Sequence, residues 1–267
     1  MKNILLLIHD DEGQEARYQV ALDVTRATGG HLICVDLTAI PEFTDDYGGT
    51  VAVMMAREME VEAANRARMI ARLEHEDVSF EWIDRTGFAA QAIRDHAGLT
   101  DLIVLSTDWA GELCPHLADV VGDALVRLGK PVLVVPAKAR RLDVANRAMV
   151  AWDGSENAQA ALQASVPLLS LARTVTLFHV DDGGQGLPAE AAARYLSRHG
   201  IEPVVQHEPA TVDRPGNALL TEIGRGQHDW LVMGAFGHSR TIEAMFGGTT
   251  RTMLEHSPVP ILMAHRR

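Results

Sequence analysis

Two short segments near the C-terminus hold the residue types that an anion site needs. The first runs Gly234-Ala-Phe-Gly237-His238-Ser-Arg240, and the second Gly247-Gly248-Thr249-Thr250-Arg251. Glycine lets backbone N–H groups approach a ligand that a Cβ would hold off. A helix start adds unpaired N–H groups and a dipole that favours negative charge. Gly248-Thr249-Thr250 opens a predicted helix and brings two hydroxyl donors, while His238, Arg240 and Arg251 stand against one acid, Glu243. This chemistry suits the phosphates of a nucleotide; the plainer alternative is that the glycines only make turns. A third segment, Trp152-Asp153-Gly154-Ser155, follows an apolar run. Ser155 is a suitable helix N-cap. Asp153 either accepts hydrogen bonds from a sugar hydroxyl or an adenine amino group, or is a second cap.

Other chemistry is weakly signalled. His9-Asp10-Asp11 and Cys114-Pro-His116 could ligate a metal, but neither has a second pair at ligand spacing, so no metal ligand is assigned. The chain holds no Walker loop, Gly-x-Ser-x-Gly elbow or kinase signature. Paired carboxylates are not evident around 234–251, so no catalytic residue is assigned.

The elements that position these residues follow from apolar patterning. Short Ile/Leu/Val runs alternate with helical patterns throughout, which indicates parallel sheets with helical crossovers. Strands are predicted at 3–8, 31–37, 78–84, 101–106 and 131–136, then at 147–152, 174–180, 203–207, 229–234 and 259–264. Helices are predicted at 14–28, 51–73, 89–97 and 115–128, then at 156–172, 188–199, 216–224 and 248–256. The halves repeat each other in order and count. Asp10 matches Asp153, Cys34-Val35-Asp36 matches His179-Val180-Asp181, and the run from Asp101 to Ser106 matches that from Asp229 to Gly234. The reading is α/β: two tandem doubly wound, Rossmann-like parallel sheets of five strands, each in the order 3-2-1-4-5. Residues 1–138 form one domain and 144–267 the other. The first half is longer between its second and fourth strands, around 41–60, where Met54, Met55 and Met59 cluster. In such sheets ligands bind beyond the strand carboxyl ends, where strand order reverses. The residues after the first and fourth strands are therefore the informative ones.

Composition narrows the partners. The 267 residues carry a formal net charge of −12, which disfavours a nucleic-acid partner. No apolar run reaches the roughly 18 residues that span a bilayer, so no membrane association is expected. The run at 4–8 is too short for a signal peptide and is followed at once by acids. Two cysteines without metal spacing suit a reducing, cytoplasmic setting.

The second half resembles the universal stress protein family. Nucleotide-binding members carry Gly-x2-Gly-x9-Gly-Ser/Thr after the fourth strand, and Gly234, Gly237 and Gly247 fit that spacing. Asp153-Gly154-Ser155 is similar to the turn that ends the family's first strand. Gly248 departs from the pattern, standing where Ser or Thr is usual. The resemblance implies a tandem member with an adenine nucleotide alpha hydrolase-like fold. It also implies ATP or another adenine nucleotide as ligand, with Mg2+ as an optional companion. Adenine and ribose would lie against Ala151, Asp153, Val180 and Met233, and phosphates against Gly234, Gly237, His238, Gly247, Gly248, Thr249 and Thr250. Trp152 is large for its place and would either stack on the base or crowd it.

The first half lacks this pattern. Asp108, Glu112 and Asp119 replace small or basic residues. Like charges about 4 Å apart repel by roughly 4 kcal/mol at an effective dielectric near 20, more than the 0.3–1 kcal/mol a helix terminus offers an anion. One nucleotide per chain is expected. The leading function is a nucleotide-binding regulator of the stress response. A slow ATPase or self-phosphorylating enzyme is one alternative, and a scaffold for another small molecule or partner is the other. The fifth strands leave sheet edges that could pair within one chain, as an intramolecular pseudo-dimer, or between chains as a homodimer.

Overall fold

The computed structural model describes residues 1–40, 50–106, 117–181, 186–209, 215–236 and 248–266. The first half runs β1 (Asn3–Ile8), α1 (Gln14–Thr28), β2 (His31–Ala39), α2 (Thr50–Leu73), β3 (Ser79–Gly87), α3 (Ala89–His96), β4 (Leu102–Ser106), α4 (Leu117–Gly122) and β5 (Val132–Val135). The second half repeats the scheme: β6 (Arg147–Trp152), α5 (Glu156–Leu169), β7 (Thr174–Asp181), α6 (Ala189–Arg198), β8 (Val204–Pro209), α7 (Pro215–Gly224), β9 (Trp230–Gly234), α8 (Gly248–His256) and β10 (Ile261–Ala264). Where one helix was expected at 115–128, α4 runs on into a π-helical turn at Asp123–Arg127.

The ten strands form one sheet in the order β3-β2-β1-β4-β5-β10-β9-β6-β7-β8. Each half thus has the expected order 3-2-1-4-5. All pairings are parallel except β5 with β10, which meet antiparallel through Leu133 and Leu262. The two edges that sequence reasoning left exposed close on each other, and two five-stranded sheets become one. Inner strands such as β1 and β4 are buried on both faces, as helices on both sides require. One apolar layer holds Leu6, Ile8, Leu22, Met69, Trp152 and Leu162, under α1, α2 and α5. The other holds Leu5, Leu7, Ile93, Val121, Met233 and Met253, under α3, α4, α7 and α8.

Backbone pairing revises two sequence matches. Asp101 N–H donates to Asn3 O at 2.8 Å, and Asp229 N–H donates to Arg147 O at 2.8 Å. With Asn3 on Arg147, Ile8 takes the place of Trp152, Leu7 that of Ala151, and His9, not Asp10, that of Asp153. Likewise Asp36, beside Ile8, sits where His179 sits beside Trp152. Matching by residue type misled because the β1–α1 connection is longer than β6–α5.

Arg17 of α1 is fully buried. Its Nε donates to Leu7 O at 2.7 Å, Nη2 to His9 O at 2.7 Å, and Nη1 to Ser106 Oγ at 2.9 Å. Both Asp11 carboxylate oxygens accept from it at 2.7 Å. Gly13 makes room for this arrangement, since a Cβ there would lie 2.4 Å from Ser106 Oγ. Arg17 therefore fastens β1, the β1–α1 turn and the end of β4. Arg17→Met leaves a buried carboxylate and several acceptors unpaired, a loss of about 3–5 kcal/mol. Urea unfolding should show a midpoint shift of that size; a shift under about 1 kcal/mol would mean that Arg17 merely fills space.

Candidate functional site

A cavity of about 340 Å³ opens at the carboxyl edge of the second half, within the range of small-molecule sites. It lies where β6 and β9 diverge, the reversal point of this half. Its inner wall is apolar and includes Ala151, Phe178, Val180, Leu219 and Met233. Its polar side holds Asp153, Ser155, Asn157, Gly234, Gly248, Thr249 and Thr250. Eight residues singled out in the sequence, Ala151, Asp153, Val180, Met233, Gly234, Gly248, Thr249 and Thr250, thus come together. Gly237, His238 and Gly247 lie outside the described residues, as do Arg240 and Glu243. Asp108 and Glu112 of the first half, Cys114, His116 and the stretch 41–49 lie outside them as well, and so does the Asp119 side chain. Arg251, expected to supply a nearby cation, is instead paired with Glu255 on α8 at 2.8 Å.

Each wall has a local cause. A Cβ on Gly234 would lie 2.5 Å from Ala158 N and 2.6 Å from Asn157 C. Glycine is required there because the start of α5 presses on the end of β9. The chain then turns through Phe236, the one non-glycine residue with positive φ (62°) among those described. A left-handed residue of this type costs roughly 1–3 kcal/mol, and its surroundings hold it. Phe236 N–H donates to Thr250 Oγ1 at 3.3 Å, and Asn157 Nδ2 donates to Phe236 O at 3.2 Å. Asn157 Oδ1 accepts from Arg266 N–H at 2.9 Å, and His265 Nδ1 lies 3.0 Å from Ala235 O. The Thr250 hydroxyl therefore first of all braces this turn. Gly216 allows α8 to start against α7, since a Cβ there would lie 3.1 Å from the Thr252 side chain.

The Asp153 turn resolves in part. Ser155 Oγ accepts from Ala158 N–H at 3.1 Å, the N-cap role expected of it. Asp153 Oδ1 accepts from Ser155 N–H at 2.9 Å and so shapes the turn, and its side chain is exposed at the cavity. Trp152 is anchored: its ring belongs to the core and its Nε1 donates to Leu187 O at 2.8 Å. It forms a fixed part of the rim. Gly154 (φ 71°) meets the Leu187 backbone so closely that a Cβ would lie 2.4 Å away. Sequence reasoning missed Asn157, Phe178, Pro215 and Leu219. Only Asn157 carried a signal, as a polar residue on the buried side of a helix start.

Among the described residues, side chains occupy the equivalent point of the first half. Leu7 stands at Ala151's position and is fully buried, and Arg17 occupies the space beside Ser106. His9 Nδ1 lies 2.7 Å from Glu62 Oε1 and 3.1 Å from Leu37 O. Both partners are acceptors, so this nitrogen carries a proton. Burial alone would lower the His9 pKa, but the hydrogen bond and charge of Glu62 outweigh it and raise it. Burial, then the carboxylates of Glu62 and Asp84, push Asp36 up to about 7.

Comparisons with known proteins agree with this architecture. A model of the universal stress protein family matches residues 145–265. A universal stress protein of Synechocystis is 24% identical across 98% of this chain and 99% of its own length. The crystal structure of a universal stress protein from Archaeoglobus fulgidus covers 99% of this chain and 98% of its own, at 19% identity and a TM-score of 0.71. A functionally unknown protein of Pseudomonas aeruginosa covers 99% of this chain and 92% of its own, at 16% identity and a TM-score of 0.60.

The steric role of Gly234 gives a direct expectation. Gly234→Ala forces a methyl group into the α5 backbone and lowers ligand-free stability by about 1–3 kcal/mol. Thermal or urea unfolding measures this, and an unchanged midpoint would show that α5 gives way without cost.

Proposed function

From the match of residues 145–265 to the universal stress protein family, we propose that the second-half cavity binds an adenine nucleotide and that the protein acts as a nucleotide-responsive regulator. One observation supports this above others: an apolar slot and a helix N-terminus open into the same cavity. A flat base fits against Ala151, Val180 and Met233. Asp153, exposed at the rim, suits a ribose hydroxyl. Phosphates fit at Gly234, Gly248, Thr249 and Thr250, where α8 begins and its N–H groups favour an anion. By resemblance, Gly237, His238 and Gly247 complete this cradle, with Mg2+ as an optional companion of the phosphates.

The reading is of binding rather than turnover. Asp153 and Thr250 are occupied in shaping the backbone, and neither is poised as a general base. Regulation then follows from differential affinity: a ligand shifts a protein's state only by binding one state better. The division of labour assigns binding to residues 144–267 and none to 1–138, because Leu7 and Arg17 fill the first half's equivalent space.

Isothermal titration with ATP, ADP and AMP, together with mass spectrometry of the co-purifying small molecule, tests this. The expected result is one nucleotide per chain, with about 2.7 kcal/mol of added stability at a hundredfold excess over Kd. Gly248→Glu puts a carboxylate at the phosphate end and should weaken binding at least roughly tenfold, or about 1.4 kcal/mol. No heat and no stabilisation with any of the three would contradict the reading. Two nucleotides per chain would contradict the assignment of the first half.

A further inference from the structure

The first half is more than a filled copy of the second. At its reversal point His9, Glu58 and Glu62 bring three donor atoms within 4.8 Å of one another. His9 Nδ1 lies 2.7 Å from Glu62 Oε1 and 3.7 Å from Glu58 Oε1. Bonds of 2.0–2.2 Å in a tetrahedral centre place neighbouring donors roughly 3.3–3.6 Å apart, and the two His9 distances bracket that range.

Two independent features single this cluster out. The first is a shortage of donors. Glu58 Oε1 and Asp36 Oδ1 are buried acceptors with no hydrogen-bond donor among the described residues. Asp36 is 6% exposed and shares its sheet face with Cys34 and Met69, the face α2 covers. Two carboxylates, Glu58 and Glu62, therefore converge on the His9 imidazole, and Asp36 lies on the neighbouring strand beside Ile8. The neighbouring cations are engaged elsewhere, Arg66 with Asp84 at 2.9 Å and Arg68 with Asp10 at 2.8 Å. The second feature is support behind the donors. Glu62 Oε2 accepts from Asn65 Nδ2 at 3.0 Å. Asn65 is buried and exchanges two hydrogen bonds with Gln14, at 2.8 and 2.9 Å. Asp10 N–H donates to Glu62 Oε1 at 2.9 Å. Such an outer rank fixes the orientation of metal-ligating side chains.

We infer that His9, Glu58 and Glu62 form a binding site for a divalent first-row cation of the Zn2+ type, with Asp36 as a further carboxylate behind it. One imidazole and two carboxylates are a donor set that such ions accept. On binding, the cation replaces the proton between His9 Nδ1 and Glu62, and that proton leaves to solvent. The switch point that holds a cavity in one half would thus hold an ion in the other. The sequence marked His9 as a possible ligand but gave no hint of Glu58 and Glu62, because α2 supplies them from far along the chain.

Full-length protein, stripped with chelator and kept free of nucleotide, is titrated with ZnCl2 or MnCl2 by calorimetry, with unfolding followed in parallel. The expected result is one cation per chain and a rise in Tm that chelator reverses. Glu58→Gln keeps the side chain's size at this largely buried position and should weaken this binding at least tenfold, while the Tm of the chelated variant, measured in parallel, checks that it is folded. Glu62→Gln should weaken it more strongly. Cys114→Ser is expected to leave this binding unchanged. Failure of the wild-type chain to bind either cation would overturn the inference, as would equal affinity in Glu58→Gln; the cluster would then be an internal ion pair only.

Discussion

Everything in this molecule depends on how space is used where a doubly wound sheet reverses. In each half the first and fourth strands are neighbours, yet their crossover helices leave toward opposite faces. The helices that diverge there leave a crevice beyond the carboxyl ends of those two strands. Buried backbone groups at its floor must then be paired by side chains, water or a ligand. The halves meet this requirement in opposite ways. In the first, Leu7 fills the floor and the Arg17 guanidinium satisfies the carbonyls of Leu7 and His9. In the second, Ala151 and Gly234 leave the floor open and α8 begins at its rim.

The open crevice carries its own constraints. Helix α5 lies so close to β9 that only glycine fits at position 234. The next turn is forced through a left-handed Phe236, held by Asn157 and Thr250. The same Phe236 faces Gly122 of α4, whose Cβ, were there one, would lie 3.9 Å from the phenyl ring. A residue with left-handed backbone at the cavity's edge therefore lies close to the other half, to which β5 and β10 join it in one sheet.

Much of this was readable in the sequence. The duplication, the strand order and nearly every element appeared in the apolar patterning, because inner parallel strands must be continuously apolar. Eight residues marked for the site meet at one cavity, because Gly234, Gly248 and the Asp-Gly-Ser turn sit at segments that reach the crevice. What escaped was relational. The offset between halves needs backbone pairing, and matching Asp10 to Asp153 by type chose the wrong neighbour. Asn157 and Arg17 act through partners 79 and 89 residues away, and no local window contains both ends of such contacts. The apposition of α2 with His9 is hidden for the same reason.

The proposed function has an adenine ring enter the second-half crevice and not the first. Photolabelling with 8-azido-ATP, followed by peptide mapping, tests it directly. The label should appear in peptides containing residues 151–153, 178–180 or 233–236, and excess unlabelled ATP should remove it. Labelling confined to residues 1–106, or insensitive to competing ATP, would rule this placement out.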